Sequence, residues 1–332
     1  MHDEPEETTM REITLVEAIR EAYIEEMKAN DKVFMIGQDI QGTSWPNQTG
    51  LVQMFGEDRI IDTPISETGM FGGAMGAALM GYRPIVDFMF AGIVYCAASE
   101  ILQQAAQYYF IHGSQVPLPL VITAAGGAGQ KLVNEHSMMP HAFFLHHPGI
   151  KVAIASNPYD AKGLMKSAIR DNNPVVLFWH MGLMNDKGPV PEEEYVVPLG
   201  VADVKREGTD VTVAASGMMV KYALQAAQQL ESEISVEVVD LRTLEPLDFN
   251  AIQRSLEKTN RLVIVDEDIK RCGFAGEIMA QVMEKCFDLL DAPAVRVCIE
   301  NVPIPGGYFE DLMLPNTEKV IAAIRSTVAG RG

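Results

Sequence analysis

Short apolar runs bounded by turn residues alternate with longer amphipathic stretches along this chain, in two separate rounds. The apolar runs of the first round lie at residues 32–37, 59–62, 84–90, 118–123, 152–156 and 174–179. Between them come a helix over 14–30, with Leu15, Ala18, Ile19, Tyr23 and Met27 on one face, and a helical turn over 51–55. Helices over 67–81, 99–110 and 159–171 follow. Apolar residues three and four apart share a helix face, whereas short unbroken apolar runs suit strands buried on both sides. Consecutive βα units of this length predict a parallel sheet with helices on both faces. The composition then shifts. Residues 185–198, NDKGPVPEEEYVVP, carry three prolines and an acidic run, and read as a linker. The second round has strands over 211–215, 235–240, 261–266 and 295–298, and helices over 218–231, 249–258, 275–287 and 317–328. The expected class is therefore α/β in two domains. The expected boundaries are a flexible leader at 1–12, a first domain at 13–186, a linker at 187–200 and a second α/β domain at 201–332.

With 332 residues, 48% of them hydrophobic and 21% charged, the chain has material for two packed cores. Its formal charge of −19 argues against a nucleic-acid or anionic-membrane surface. No apolar run approaches the roughly 20 residues that a membrane span needs. The start, MHDEPEETTMRE, has neither the basic-then-apolar form of a signal peptide nor the Arg-rich form of a transit peptide, so a cytoplasmic protein is expected. Cys96, Cys272, Cys286 and Cys298 are scattered and read as reduced thiols.

Three stretches carry potential chemistry. Residues 60–84, IIDTPISETGMFGGAMGAALMGYRP, set one carboxylate, Glu67, before a run of small residues that lets a backbone or a flat ligand approach. On pattern alone Glu67 is either a surface acid beside a tight helix or a functional carboxylate. The glycine turn at 124–129 follows a strand, but its spacing is not that of a dinucleotide fingerprint. Residues 131–147 hold His136, His141, His146 and His147, with Glu135 as the only nearby acid, which is a poor metal set and a better source of a substrate-facing histidine. In open α/β sheets ligands bind beyond the carboxyl ends of strands, where Glu67 and the 124–136 loop both fall.

The motifs DTPISE (62–67), GxxxGAAxxGxRP (72–84), HxPGIKV (146–152), DAKGLMKSAIRDNNPVV (160–176), EGTDVTV (207–213) and VDLRTLEPLD (239–248) run in order along nearly the whole chain. The chain thereby resembles the beta subunit of the thiamine-diphosphate-dependent decarboxylase component of 2-oxo acid dehydrogenase complexes. The resemblance implies a transketolase-like pyrimidine-binding domain followed by a transketolase C-terminal-like domain. It implies that Glu67 activates the cofactor by bonding the aminopyrimidine ring nitrogen, so that the imine can take the thiazolium C2 proton. His136, at the HSQ position, would meet the 2-oxo substrate or the lipoyl group. His146, of the HxPG motif, would be catalytic near the same pocket, or else a hydrogen-bonded structural histidine. Met89 and Ile93 fall at cofactor-contacting positions. Leu120, Ala168, Asp171 and Asn173 match a monovalent-cation cage suited to potassium. The family's diphosphate is held through Mg2+ by a GDG motif, which this sequence lacks, so the resemblance implies an alpha subunit that carries it, an α2β2 assembly, and a lipoyl acyltransferase as a further partner.

The chain departs from the pattern at several positions. Ile93 replaces the aromatic that stacks on the aminopyrimidine, leaving Phe90 or Tyr95 as substitutes. Ser99 and Gln38 replace acids linked to proton movement between paired sites, Met138 replaces the glutamine of HSQ, and Thr123 replaces an arginine. Two other readings stand beside the first: an acetoin-cleaving or carboligating enzyme subunit without a lipoyl partner, and a silent scaffold subunit. Retention of Glu67 and His136 speaks against the last.

Overall fold

The structure is a computed structural model that describes residues 9–330. Its strands run in chain order as β1 (Met10–Thr14), β2 (Val33–Gly37), β3 (Ile60–Asp62), β4 (Arg83–Phe90), β5 (Val121–Gly126), β6 (Lys151–Ile154), β7 (Val175–His180) and β8 (Lys187–Pro191). The second half adds β9 (Asp203–Arg206), β10 (Val211–Ala215), β11 (Val236–Asp240), β12 (Thr243–Glu245), β13 (Leu262–Ile269) and β14 (Val295–Ile299). The first sheet has the order β12-β6-β7-β5-β4-β2-β3, parallel throughout except for β12. The second has the order β14-β13-β10-β11-β9, parallel except for the edge strand β9.

Alternation along the strands assigns side chains to two layers. On one face of the first sheet, Met35, Ile85, Val121, Leu177 and Trp179 meet Leu15, Ile19, Tyr23 and Met27 of the Leu15–Ala29 helix. That helix begins on a capping box in which Thr14 and Glu17 each accept a backbone N–H of the other. It is tied to the Pro158–Arg170 helix by Lys162, whose buried ammonium reaches Glu25 at 2.6 Å and Glu21 at 3.1 Å. On the other face, Val86, Phe88, Ile122 and Phe178 share one continuous core with Val239, Leu244, Ile252, Ile264 and Phe274 of the second half. The two halves are therefore joined by apolar packing as well as by the β12–β6 ladder.

Three expectations are corrected. The leader expected at 1–12 lies partly outside the described residues, but Met10–Thr14 is a strand, paired antiparallel with β8. The linker expected at 187–200 contains that partner. Its prolines hid it, because a two-stranded ribbon tolerates missing N–H donors that a central strand would not. The helix expected over 99–110 opens as a π-helix, Ser99–Ala105, and turns α-helical only at Ala106–Ile111.

The PG of the HxPG motif has a structural explanation. Gly149 has φ +99°, and a Cβ there would lie 1.9 Å from the Ala106 carbonyl oxygen. Gly149→Ala is expected to destabilise the chain by about 2–5 kcal/mol, from the left-handed backbone and the clash together. Urea denaturation of the purified chain measures it.

Candidate active site

The carboxyl edge of the first sheet gathers the expected residues from separate strands. Gln38 follows β2, and its Nε2 donates to Glu67 Oε1 at 3.1 Å. Glu67 opens the Glu67–Leu79 helix just beyond β3, where the free N–H groups of a first turn favour a carboxylate. Its other oxygen makes no hydrogen bond among the described residues, so it is free to accept a ligand donor. An amide cannot take up and release a proton as an acid does, so Gln38 orients Glu67 but closes any proton path through position 38.

Met89 stands at the end of β4 in a left-handed conformation, φ +63°, where the β4–β5 register shifts between Asp87 and Phe90. A non-glycine residue there is strained, and such strain persists only where neighbours enforce it. Asp87 Oδ1 accepts the Met89 N–H at 2.7 Å, and Trp45 Nε1 donates to the Met89 carbonyl at 3.1 Å. Beyond it stands an aromatic wall. Phe90 lies edge-to-face with Trp45 at 5.3 Å and with His136 at 4.3 Å, and Trp45 meets Trp179 at 5.1 Å. Phe90 is thus the aromatic beside His136. Tyr95 packs instead on Phe143 at 4.7 Å, and Ile93 sits half-buried against the core.

The turn after β4 and the segment carrying His136 touch through backbone. A Cβ on Gly92 would lie 2.2 Å from the Glu135 carbonyl oxygen, so only glycine permits this approach. The second half of the chain then holds the His136 segment in place. Buried Glu310 accepts from Lys131 N at 2.8 Å and from Ser137 Oγ at 3.3 Å. Glu267 accepts from Ala128 N at 2.7 Å, and Asn134 Oδ1 accepts from Ile304 N at 3.0 Å. Met138 packs with Ala128, Ile299, Ile304 and Leu314, which explains why an apolar side chain stands where the family pattern has glutamine.

Two buried histidine–carboxylate pairs complete this junction: His141 Nε2 with Asp266 at 2.9 Å, and His180 Nε2 with Glu267 at 2.7 Å. Burial pushes the His141 imidazolium down, but the charge and hydrogen bond of Asp266 outweigh it and raise the group to about 9. For Asp266, burial acts upward and His141 acts downward, and the net shift is down. None of these carboxylates was singled out in the sequence. Each lies far along the chain from its partner, with no spacing to mark it.

The histidines of 136–147 do not converge. His136 lies beside Glu135, with 3.6 Å between Nδ1 and Oε1, His141 faces Asp266, and His147 Nδ1 bonds the Phe143 carbonyl at 2.9 Å. His146 lines a cleft of about 380 Å³ with Glu245, Cys272 and Glu277, and among the described residues no contact joins it to Glu67, Phe90 or His136. The four expected cation ligands meet at one turn. The carbonyls of Leu120 and Ala168 accept Val175 N and Asp171 N, and the Asp171 carboxylate takes Asn173 N and the Lys151 ammonium. Arg83 caps the same turn through the Ile169 and Asp171 carbonyls.

The Glu67–Leu79 helix leaves one face uncovered. Gly72, Gly73 and Gly76 have nothing within 4 Å of an added Cβ, and Ile65 and Met80 at its two ends are 83% and 79% exposed. Apolar surface of this kind beside a candidate site marks an interface.

Comparison with known proteins agrees with this geometry. Residues 11–186 match the family model for the transketolase pyrimidine binding domain, and residues 200–320 match that for the transketolase C-terminal domain. The acetoin:2,6-dichlorophenolindophenol oxidoreductase subunit beta of Bacillus subtilis is 43% identical over 94% of this chain and 96% of that protein. The pyruvate dehydrogenase E1 component subunit beta of the same organism is 40% identical over 96% of this chain and 99% of that protein. Its 2-oxoisovalerate dehydrogenase subunit beta is 40% identical over 95% and 98% respectively. Among solved structures, a split-gene transketolase described as an inactive beta4 tetramer superposes with a TM-score of 0.80 at 23% identity, covering 96% of this chain and 99% of that one. No helix among the described residues is long and apolar enough to cross a membrane.

Proposed function

Because this chain belongs to the beta-subunit family of the 2-oxo acid and acetoin dehydrogenases, we propose that it supplies the pyrimidine-binding half of a thiamine diphosphate site shared with an alpha subunit. The observation that carries the reading is the Glu67 carboxylate, one oxygen held by Gln38 and the other without a hydrogen bond among the described residues, just beyond β3 at the carboxyl edge of the same sheet in which β4 ends at Phe90, itself packed on His136. An acceptor oxygen of this kind suits a heteroaromatic ring carrying a protonated nitrogen. When bound, the cofactor supplies the electron sink for breaking a carbon–carbon bond next to a carbonyl. Glu67 would share a proton with the ring nitrogen through its free oxygen, Met89 and Ile93 would present apolar surface to the ring, and His136 would donate a proton or a hydrogen bond to the substrate oxygen. The diphosphate and its Mg2+ would be held by the alpha subunit.

The open face of the Glu67–Leu79 helix supports a subunit contact at the edge of this site, and we extend the proposal to an α2β2 assembly. A lipoyl acyltransferase would be the acceptor in the first reading. A potassium ion at the turn formed by Leu120, Ala168, Asp171 and Asn173 would share Asp171 with Lys151, and its role would be structural.

The second reading, an acetoin-cleaving enzyme, is favoured by the 43% identity to an acetoin oxidoreductase subunit. One experiment serves both. The purified chain should show no turnover with thiamine diphosphate and Mg2+ alone. Paired with its alpha subunit, it should act on pyruvate, branched-chain 2-oxo acids or acetoin, assayed with and without lipoamide. Lipoamide-dependent turnover of a 2-oxo acid supports the first reading, and acetoin cleavage with an artificial acceptor supports the second. Turnover by the single chain overturns the shared site.

A further inference from the structure

Asp87 is a buried carboxylate, 2% exposed, with no cation paired to it among the described residues. In the first sheet its lateral neighbours are Gly37 on β2 and Thr123 on β5. Thr123 stands where the family pattern has arginine, so the position best placed to neutralise Asp87 carries no charge. Buried acids without a counter-charge are costly and need dense hydrogen bonding. Asp87 has it: Oδ1 takes the Met89 N–H at 2.7 Å, and Oδ2 takes Gln48 Nε2 at 2.8 Å. Gln48 in turn accepts Trp45 N through its Oε1 at 3.3 Å, and the Trp45 indole returns to the Met89 carbonyl. The ring of contacts runs Asp87, Gln48, Trp45, Met89 and back to Asp87. It closes on the one strained residue of β4.

We propose that Asp87 is a positioning residue for the cofactor pocket, whose carboxylate latches Met89 in its left-handed turn and so sets Phe90, Trp45 and His136 at the carboxyl edge of the sheet. This rests on reading that space as the cofactor site. The chemistry requires a carboxylate. Two N–H donors converge on its two oxygens, and an amide in its place offers one acceptor and one donor, so one of the two is orphaned. Gln48 cannot turn its own oxygen toward the new amide without releasing Trp45 N.

The test compares Asp87→Asn, Met89→Gly and the double variant in the full chain, both by itself and paired with its alpha subunit. Trp45 and Trp179, the only two tryptophans, pack edge-to-face, so near-ultraviolet circular dichroism of the chain alone reports on the latch. Asp87→Asn is expected to change that signal while the far-ultraviolet spectrum stays native. In the paired enzyme it should raise half-saturating thiamine diphosphate about tenfold or more, with kcat at saturation changed far less. Glycine adopts φ +63° without being held there, so in the Met89→Gly background the same replacement should shift half-saturation by less than about twofold. An unchanged tryptophan signal and cofactor affinity, or an equal loss in both backgrounds, overturns the proposal. Should Asp87→Asn fail to fold, Trp45→Phe removes the opposite hold on Met89 and should weaken cofactor binding in the same direction; unchanged affinity there overturns it as well. Loss of cofactor dependence in the unmodified enzyme would instead reject the site, with the tryptophan signal still testing the latch.

Discussion

Glu67→Gln lowers kcat of the assembled enzyme by about 10²–10⁴-fold, the range expected when a positioned acid–base group is lost. Glutamine fills nearly the same volume and keeps one acceptor oxygen. The helix start and the contact with Gln38 should therefore survive, and the substrate KM should move little. Steady-state kinetics of the paired subunits measure the effect, with size-exclusion chromatography confirming that pairing is retained. The contrast is sharp because Gln38 is an amide: no second acid stands beside Glu67 to take over its proton. Unchanged turnover would remove Glu67 from the chemistry and favour a scaffold role.

The second large effect is on stability. Asp266→Asn leaves the His141 imidazole in a site where its charge no longer has a partner, and breaking a buried pair in this way costs about 3–5 kcal/mol. Guanidinium denaturation near pH 7 measures it. The pH dependence follows from the two shifts. His141 rises from its ordinary 6.5 to about 9, so its contribution is complete below 6.5 and is lost as pH rises through about 9. Asp266 is held below the ordinary 3.8, so its contribution is complete above that value and is lost only in stronger acid. Between about pH 6.5 and 9 the unmodified chain should therefore lose stability more steeply than the variant. Asp87 works in the opposite sense to Asp266. Burial raises it to about 6, offset in part by its bonds to Met89 and Gln48, so its ionisation weakens the fold as pH climbs from about 4 to about 6.

Period and turn chemistry made most of the architecture legible. The helix over 317–328 and the strand over 211–215 have the observed bounds, because apolar periodicity and flanking turns agree there. What stayed hidden was short or carried by single residues. β9 is polar, β12 has three residues, and β1 and β8 pair only with each other. In the site, Glu67 stood out as a lone acid among small residues, and His136 as one of a cluster. Asp87 was hidden inside an apolar strand, where its value depends on Met89 two residues on and on Gln48 and Thr123 arriving from two other places. Glu267 and Glu310 were hidden for a similar reason: their work is to hold a loop more than a hundred residues away. In the motif of histidine, proline and glycine at 146–149, the glycine serves backbone packing, a role that its place beside a histidine did not announce.

The strand Thr243–Glu245 belongs to the second half of the chain but is the last rung of the first sheet. A gene cut at the stretch between the halves would therefore yield a first domain with β6 as a bare edge, offering unpaired N–H and C=O groups to any passing strand. The seam that looks like the natural place to divide this protein is one across which each piece needs the other to stay apart from its own copies.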